Sequence, residues 1–346
     1  MAKKVVFRVD GGSRLPHAED REKGMGHVVR CLALAKELEK YDVEITFLMK
    51  NHLTGVKKVI DAGHIVKKLP VSSDKETDIR RIPGMLNRIK PQIVLNDILN
   101  TEEKYMLKTR ETGAFLINVD DLGPGRQLAD VLVYSLVRPP VYSKPKIYAG
   151  PAYMTLKDKF RKMHKKRKKI REKIGKILVS MGASDPQSLT VKVLKALEKV
   201  DRNFTTTVVI GSAFTHHNEL KNVLDKARKK YIVKSNVSNM AELMHDADIA
   251  IISGGISVYE LAAVGTPGIV LCQNKHENTN VFEDYGFVTK LGLGKFVGEK
   301  QIIGAVKKLA RDKFLRKKMS DQGKKLVDGC GAERVAKIIL KHCGWD

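Results

Sequence analysis

Short apolar runs rich in β-branched residues alternate with amphipathic stretches along most of the chain. In the first half the apolar runs predict buried strands, and the segments between them have helical spacing, as at His27–Lys40 and Glu102–Thr112. The predicted strands are Val5–Val9, Val43–Met49, Ile93–Asn96, Phe115–Val119 and Val131–Tyr134. This alternation of strand and helix is typical of α/β folds.

The same alternation starts again near residue 176, with helices predicted at Ser188–Val200 and Ser257–Val264. The predicted strands are Ile177–Met181, Thr207–Ile210, Tyr231–Val233, Ile249–Ser253 and Ile269–Cys272. Strands that are apolar throughout favour a parallel sheet covered on both faces by helices. We therefore predict two doubly wound α/β domains, with ligands bound beyond the carboxyl ends of the strands in a cleft between the domains.

The predicted domains span residues 1–155 and 176–346, joined by a basic linker at 156–175, and the last helix is free to pack back on the first domain. A chain of 346 residues is long enough for two such domains. The four cysteines are widely separated and form no CxxC pair, so neither a disulfide framework nor a zinc site is indicated.

Charge is the feature of the composition that most changes the picture. The net charge is +25, and residues 157–176 carry twelve Lys or Arg against two acids. Such a run indicates a solvated helix or linker, or a contact with nucleic acid or another anionic surface. The absence of base-stacking aromatic motifs favours the first interpretation, and a basic surface also helps to attract anionic substrates such as nucleotide sugars.

Membrane and export signals are not apparent in the sequence. The uncharged, largely apolar stretch Leu261–Asn274 has 14 residues and includes Pro267, whereas a bilayer span needs about 20 apolar residues. The start, MAKKVVF, lacks the apolar core and cleavage site of a signal peptide. We therefore expect a cytoplasmic protein without integral membrane association.

The segment GMGHVVRCLALA, Gly24–Ala35, follows a predicted strand and turn that contain Asp10. Glycines allow a close approach of backbone to ligand, and the first N–H groups of a helix suit anions. His27 lies at this helix start, where the positive potential disfavours imidazolium, so we expect a neutral base near pH 7. Arg30, one turn later, is expected to bind a carboxylate or phosphate. The structural alternative is a histidine that only caps the helix or packs in the cleft floor.

A second glycine loop, Ser253–Ser257, connects a predicted strand to a helix. Its backbone N–H groups suit a diphosphate, and its two serines offer hydroxyl groups. Glu260, one turn into the helix, can reach the two hydroxyls of a ribose. The alternative is a packing turn followed by a solvated helix charge.

Two further strand ends carry polar groups. In Met181–Pro186, Ser184 or Asp185 either caps a helix that begins near Pro186 or takes part in phosphate binding. Asn96-Asp97 and Asn118–Asp121 follow neighbouring predicted strands of the first domain. There Asp97 either positions or activates water, or caps a turn.

The strings GMGHVVRCLALA, VLND, MGASDP, SGGISVYELAAVGTP and LCQN, in this order, resemble the UDP-2,4-diacetamido-2,4,6-trideoxy-β-L-altropyranose hydrolase family of pseudaminic acid biosynthesis and its spore-coat polysaccharide relatives. The match covers residues 5–295. The second half is also similar to the UDP-binding half of the N-acetylglucosaminyltransferase of peptidoglycan synthesis. The resemblance implies a GT-B fold of two Rossmann-like domains, with the nucleotide on the second, the chemistry on the first, and neither metal nor other cofactor required.

The resemblance also implies roles for single residues. His27 matches the catalytic histidine proposed to activate water for attack at the anomeric carbon, with displacement of UDP. Glu260 matches the ribose-binding acid, Val237 falls where backbone groups receive uracil, and Asn274 matches a polar residue that faces the sugar. The catalytic candidates are therefore His27, Asp97 and Asn274. The nucleotide-side candidates are Gly182, Ser184, Val237, Ser253, Gly254, Gly255, Ser257 and Glu260, and the sugar-side candidates are Asp10, Gly24, Gly26 and Arg30.

Two departures from the family pattern concern the sugar pocket. Leu15–Lys23 forms a charged insertion ahead of the first glycine, which is expected to reshape or cover part of the pocket. Asn96–Leu99 lacks the aromatic residue often found after the corresponding strand. Both bear on which sugar is bound.

We therefore predict a hydrolase that cleaves the anomeric C–O bond of a UDP-linked amino sugar, in nonulosonic acid or surface polysaccharide biosynthesis. The alternative with the same fold is a UDP-sugar glycosyltransferase in which His27 deprotonates an acceptor alcohol. The alternative from another class is a basic nucleic-acid-binding or scaffold protein centred on residues 157–176, whose affinity would fall steeply with salt.

Overall fold

Two parallel β-sheets, one in each half of the chain, organise the fold. The computed structural model describes residues 3–12, 25–71, 75–141 and 145–345. The chain divides into unit 1, residues 1–157 and 330–346, and unit 2, residues 158–329. Both sheets have helices between most successive strands, which confirms the predicted doubly wound α/β class.

The helices and strands follow one another almost without interruption. Unit 1 begins with β1 (Lys3–Val9), α1 (Gly26–Leu38), β2 (Val43–Lys50), α2 (Leu53–Ile60), β3 (Ile65–Leu69), α3 (Lys75–Ile89), β4 (Ile93–Asp97), α4 (Glu103–Arg110), β5 (Phe115–Val119), β6 (Val131–Tyr134) and β7 (Lys146–Ala149). Unit 2 contains α5 (Asp158–His164), β8 (Lys176–Ser180), α6 (Leu189–Glu198), β9 (Thr205–Ile210), α7 (His217–Asp225), β10 (Lys230–Ser235), α8 (Met240–Asp246), β11 (Ile249–Ile252), α9 (Ser257–Val264), β12 (Gly268–Cys272), α10 (Lys275–Thr279), β13 (Val288–Leu293), α11 (Glu299–Arg311) and α12 (Lys313–Leu326). The chain then returns to unit 1 with α13 (Gly331–Cys343).

The strand order is β3-β2-β1-β4-β5-β6-β7 in unit 1 and β10-β9-β8-β11-β12-β13 in unit 2, and all paired strands are parallel. In each sheet the order reverses between two central strands, β1 and β4 in unit 1 and β8 and β11 in unit 2. The loops that follow these strands therefore diverge and leave a crevice at the carboxyl edge of each sheet.

The apolar pattern located the central strands and one edge strand, β10, and it missed the other three edge strands. All ten predicted strands are present, with ends shifted by two residues or fewer. The missed strands are β3, β7 and β13, and each lies at the edge of its sheet. β3 reads IVKKL and β7 reads KIYA, and both are largely exposed, because an edge strand has less of its surface covered by neighbours.

Helices α1 and α13 cover one face of the unit 1 sheet. The side of α1 that packs against the sheet is apolar and buried, and it includes Val28, Cys31, Leu34, Ala35 and Leu38. Val335, Ala336 and Ile339 of α13 belong to the same core. This packing fixes the position of the first turn of α1 at the carboxyl edge of the sheet.

Several cations of the basic run contact unit 2 itself. Lys159 Nζ donates to the Ser238 carbonyl at 3.0 Å, and Arg171 Nη1 donates to Asp248 Oδ1 at 2.7 Å. Lys168 Nζ donates to the carbonyls of His245 and Ala247 at 2.5 Å, at the end of α8. Part of the run is therefore structural and belongs to unit 2.

Candidate functional site

In unit 1 the candidate site lies at the carboxyl ends of β1 and β4, where the strand order reverses. His27 is the second residue of α1, and Asp97 is the last residue of β4. The structure therefore brings together two residues that are 70 positions apart in the sequence.

The His27 imidazole and the Asp97 carboxylate form a close pair. His27 Nδ1 lies 2.6 Å from Asp97 Oδ1. The carboxylate is 1% exposed, whereas the imidazole is 13% exposed. Burial by itself raises the pKa of Asp97, but the charge of Arg30 and the hydrogen bonds from Arg30 and His27 outweigh it and hold that pKa well below its ordinary value. Asp97 is therefore an anion that faces one edge of the ring.

Arg30 holds Asp97 from the other side. Its Nε donates to Asp97 Oδ2 at 2.6 Å and its Nη2 to Asp97 Oδ1, while Nη1 donates to Asp120. The Arg30 side chain is 2% exposed. Arg30 therefore binds carboxylates, as predicted, and these are the protein's own, those of Asp97 and Asp120; its place on the sugar side of the site stays a prediction.

The carboxylate determines which nitrogen of His27 can act as a base. A neutral imidazole donates from one nitrogen and accepts at the other, and the nitrogen that faces a carboxylate carries the hydrogen. Nδ1 faces Asp97, so Nε2 is the nitrogen that accepts a proton. The predicted activation of water by Asp97 itself does not fit the burial of its carboxylate. That carboxylate instead orients the His27 ring. Cys31 adds a further donor to Asp97 at 3.3 Å, because burial keeps its thiol protonated.

Of the sugar-side candidates, Asp10 is also buried. Its carboxylate accepts from Arg8 Nη1 at 2.7 Å, from Arg8 Nη2 at 2.9 Å and from the backbone N–H of Lys50 at 2.8 Å, and the residue is 2% exposed. The expected contact of Asp10 with sugar is therefore replaced by a bond that holds the end of β1 to β2. Gly26 is the first residue of α1, and Gly24 and the 15–23 insertion lie outside the described residues.

In unit 2 the nucleotide-side candidates other than Val237 lie at the carboxyl ends of β8 and β11, which are adjacent in the sheet, and the loop after the next strand, β12, contacts them. Gly182 follows β8 with a left-handed backbone (φ 85°), and a Cβ on it would lie 3.5 Å from Ser253 Oγ in the loop after β11. Gln273, after β12, donates its side-chain amide to the Met181 carbonyl at 3.1 Å. These hydrogen bonds and contacts hold the three loops together.

The loop after β8 shows which of its two polar residues is a cap. Asp185 is 2% exposed, and its carboxylate accepts from the N–H groups of Leu189 and Thr190, both at 2.8 Å. It therefore caps α6, as one of the two interpretations held. The helix begins at Leu189, however, and not near Pro186, because Ser188 has a left-handed backbone (φ 51°) that interrupts helical geometry.

The glycine loop after β11 already holds a carboxylate. Glu277 Oε2 accepts from the N–H groups of Gly254 at 2.9 Å and Gln273 at 2.8 Å. Burial raises the pKa of Glu277, although these two hydrogen bonds oppose the shift. Only glycine fits at position 254, because a Cβ would lie 2.9 Å from Cys272 Sγ. The expected diphosphate contact of the Gly254 N–H is thus taken by Glu277, a residue that the sequence patterns did not single out.

The remaining candidates occupy the same edge of unit 2. Ser257 is the first residue of α9, Glu260 lies one turn further, and Gly255 precedes them in the loop. Asn274 caps α10, since its Oδ1 accepts from the Glu277 N–H at 2.8 Å. Val237 is half-buried between β10 and α8, and Ser184 is half-buried in the turn after β8. Asn274 belongs to unit 2, whereas His27 and Asp97 belong to unit 1.

The described residues were also compared with what a metal site and a membrane-spanning helix require. No group of three or more His, Cys, Asp or Glu side chains suited to a metal ion occurs in residues 3–12, 25–71, 75–141 and 145–345. In the same ranges, no helix has both the length and the apolar character needed to cross a membrane.

Comparison with known proteins finds a family domain in unit 2 and relatives that span both units. Residues 176–329 match the glycosyltransferase family 28 C-terminal domain. The spore coat polysaccharide biosynthesis protein SpsG of Bacillus subtilis is 32% identical over 331 residues, which cover 92% of this chain and 94% of that protein. The uncharacterized protein MJ1062 of Methanocaldococcus jannaschii is 36% identical over 279 residues, which cover 76% of this chain and 56% of that protein. The chain thus matches little more than half of the archaeal protein.

The fold has a close counterpart among solved structures. The crystal structure of MurG from Acinetobacter baumannii superposes with a TM-score of 0.72 at 14% identity and covers 98% of this chain and 99% of that one. At this identity the likeness concerns the fold. It confirms the GT-B architecture of two Rossmann-like sheets.

Proposed function

Because the chain belongs to the family of the spore coat polysaccharide biosynthesis protein SpsG, we propose that it is a GT-B enzyme that hydrolyses a UDP-linked amino sugar. The products are UDP and the free sugar. The sugar would enter surface polysaccharide or nonulosonic acid biosynthesis, as it does in pseudaminic acid biosynthesis, the pathway of the hydrolase family that the motifs resemble. The family match and the family 28 domain support a nucleotide-sugar substrate.

One observation supports the chemistry most strongly: the 2.6 Å contact of His27 Nδ1 with a buried, anionic Asp97. It leaves Nε2 to accept a proton from an O–H group. Water then attacks the anomeric carbon as Nε2 takes its proton, and the bond between that carbon and the diphosphate oxygen breaks. UDP leaves with the electron pair, and the imidazolium afterwards returns its proton to solvent.

Unit 2 is proposed to hold the UDP. With the Gly254 N–H bound to Glu277, the diphosphate would meet the N–H groups of Gly255 and Ser257 at the start of α9. Glu260 would accept hydrogen bonds from the ribose, with Val237 near the uracil and Gly182 and Ser184 beside the phosphates. The partial positive charge of the helix start would stabilise the leaving group.

A substrate panel tests this function. Purified protein is incubated with UDP- and CMP-linked amino sugars without an acceptor, and nucleotide release is followed while the sugar product is identified by mass. We expect UDP and the free sugar from at least one UDP-linked amino sugar. Binding of the UDP-sugars without release of UDP would contradict the hydrolase.

A glycosyltransferase is the second candidate, and the match of residues 176–329 to a glycosyltransferase domain favours it. In that case His27 Nε2 takes the proton of an acceptor hydroxyl and the sugar is transferred to that oxygen. UDP release would then depend on added acceptor alcohol, and the product would carry the acceptor. The same panel, repeated with polysaccharide precursors, separates the two reactions.

A further inference from the structure

A second buried carboxylate, that of Asp120, lies behind Arg30. Asp120 follows β5, is 0% exposed and accepts from Arg30 Nη1. It also accepts from the Ser135 N–H at 2.7 Å, the Leu136 N–H at 2.9 Å and the Ser135 hydroxyl at 3.0 Å. All four partners are donors, so the carboxylate is held as an anion, and only one of the partners, Arg30, carries a charge.

The backbone keeps Asp120 in this place. Its φ is 49°, a left-handed conformation that costs a residue with a side chain free energy. The neighbouring Asp121 anchors the turn, because it accepts from the Thr101 N–H and the Gly123 N–H at 2.9 Å and from Asn118 Nδ2 at 2.6 Å. The two consecutive aspartates thus have separate tasks: Asp121 fixes the loop and Asp120 faces Arg30.

Arg30 connects the two carboxylates through a rigid, planar group. Nε and Nη2 bind Asp97 while Nη1 binds Asp120. A rotation of the guanidinium plane would break at least one of these bonds. Asp120 therefore fixes the plane of Arg30, which in turn fixes Asp97 against His27.

The net charge of the cluster formed by Asp97, Arg30 and Asp120 affects how readily His27 takes a proton. Asp97, Arg30 and Asp120 together carry a net charge of −1, and the Cys31 thiol, which also contacts Asp97, is kept neutral by its burial. When His27 takes a proton, the buried cluster becomes neutral. With Asp97 and Arg30 alone, protonation would instead leave a net positive charge in a region of low dielectric, which is unfavourable.

We infer that Asp120 is a positioning residue for the base: its charge offsets that of Arg30, so that Asp97 can stabilise the imidazolium that forms on His27 during the reaction. The inference rests on the proposed role of His27. Its distinguishing consequence is electrostatic, because removal of the Asp120 charge weakens the base even where the fold is kept.

The titration of His27 tests this without substrate. Full-length protein labelled with 15N-histidine is titrated by NMR, with His27→Ala to identify the His27 signals among the ten histidines. We expect the Nδ1–H tautomer at neutral pH in the native protein. Loss of the Asp120 charge disfavours the imidazolium, so in Asp120→Asn the midpoint of the His27 titration should fall by about 0.5 to 1 pH unit. An unchanged or higher midpoint would overturn the inference.

Asp130→Asn is the matched control. Asp130 also accepts from an arginine, Arg110 Nη2 at 3.0 Å, and from a backbone N–H, that of Leu116 at 2.8 Å, but at the amino end of β6. Its loss should leave the His27 midpoint unchanged. A shift equal to that of Asp120→Asn would mean that the effect is not specific to the cluster and would overturn the inference.

Ser135→Ala keeps the test decisive if Asp120→Asn does not fold. It retains every charge and removes one neutral donor from Asp120, so the midpoint should rise by a few tenths of a pH unit; a fall or no change would contradict the inference.

With a substrate in hand, Asp120→Asn should lower kcat about tenfold with KM within twofold. Absence of turnover in native protein would refute the proposed function, whereas an unmoved titration would refute only the role of Asp120.

Discussion

The two units have similar parallel sheets, but the residues at the carboxyl edges of those sheets differ in charge. In unit 1 this edge carries charged side chains that bind one another, with Arg30 between Asp97 and Asp120 and the His27 imidazole 13% exposed beside Asp97. In unit 2 the corresponding edge consists of glycine turns, a helix start and hydrogen bonds from neutral donors to the buried carboxylates of Asp185 and Glu277, with Glu260 in the first turn of α9. Under the proposed function, the carboxyl edge of one sheet serves proton transfer through buried opposite charges, and the equivalent edge of the other binds phosphates through backbone N–H groups.

The largest expected effect is the loss of the base. His27→Ala should lower turnover of the UDP-sugar about 1,000-fold, since general base catalysis contributes on the order of 10² to 10⁴. The affinity for UDP should stay within twofold because UDP is proposed to bind unit 2. Steady-state kinetics and calorimetry with UDP check both values, and turnover within tenfold of native would remove His27 from the mechanism.

A stability measurement on Arg30 tests whether the unit 1 charges act as a set. Arg30→Met leaves two carboxylates buried without their cation, and breaking a buried ion pair costs about 3 to 5 kcal/mol. Arg110→Met removes an arginine whose side chain is 50% exposed, and it should cost less than about 1 kcal/mol. Urea unfolding of the two variants gives the comparison. Equal losses would mean that the buried cluster contributes no more than a surface pair.

In unit 2 the test concerns the carboxylate on the glycine loop. Glu277→Ala removes the acceptor of the Gly254 and Gln273 N–H groups, so the loop relaxes and UDP affinity should fall about tenfold. Glu277→Gln keeps an acceptor oxygen and should bind UDP within threefold of the native protein. Calorimetry with UDP measures both. If both variants bind like the native protein, Glu277 does not shape the nucleotide site.

The smallest expected effect concerns the basic segment. Burial lowers the pKa of Lys168 to about 7 from an unfolded value of 10.5, so between these pH values the unfolded chain binds a proton that the native chain lacks, and stability rises with pH. Between pH 7 and 8 this contributes about 1 kcal/mol. Lys168→Met should abolish that rise and the exposed Lys169→Met should keep it, as measured by urea unfolding at both pH values. A rise that persists in Lys168→Met would show that Lys168 is not the group responsible.

The difference between the units also explains what could be predicted from the sequence. Glycine turns at strand ends are local patterns, so the loops at Gly182 and Ser253–Ser257 and the position of His27 at a helix start were predicted correctly. The hydrogen-bond partners of Arg30 and Gly254 could not be predicted, because the pairing of the strands in the sheet determines which residues meet. Asp97 and Asp120 lie 67 and 90 residues from Arg30. Only the pairing of β4 with β1 and β5 brings them together.

The central claim is that unit 1 activates water for attack on the anomeric carbon, and the most direct test is the fate of the water oxygen. A single turnover of the UDP-sugar identified by the panel is carried out in H₂¹⁸O, and both products are analysed by mass. We predict one ¹⁸O in the anomeric hydroxyl of the free sugar and none in UDP. Label in the terminal phosphate of UDP would mean attack at phosphorus, and it would contradict the role assigned to His27 and its buried partners.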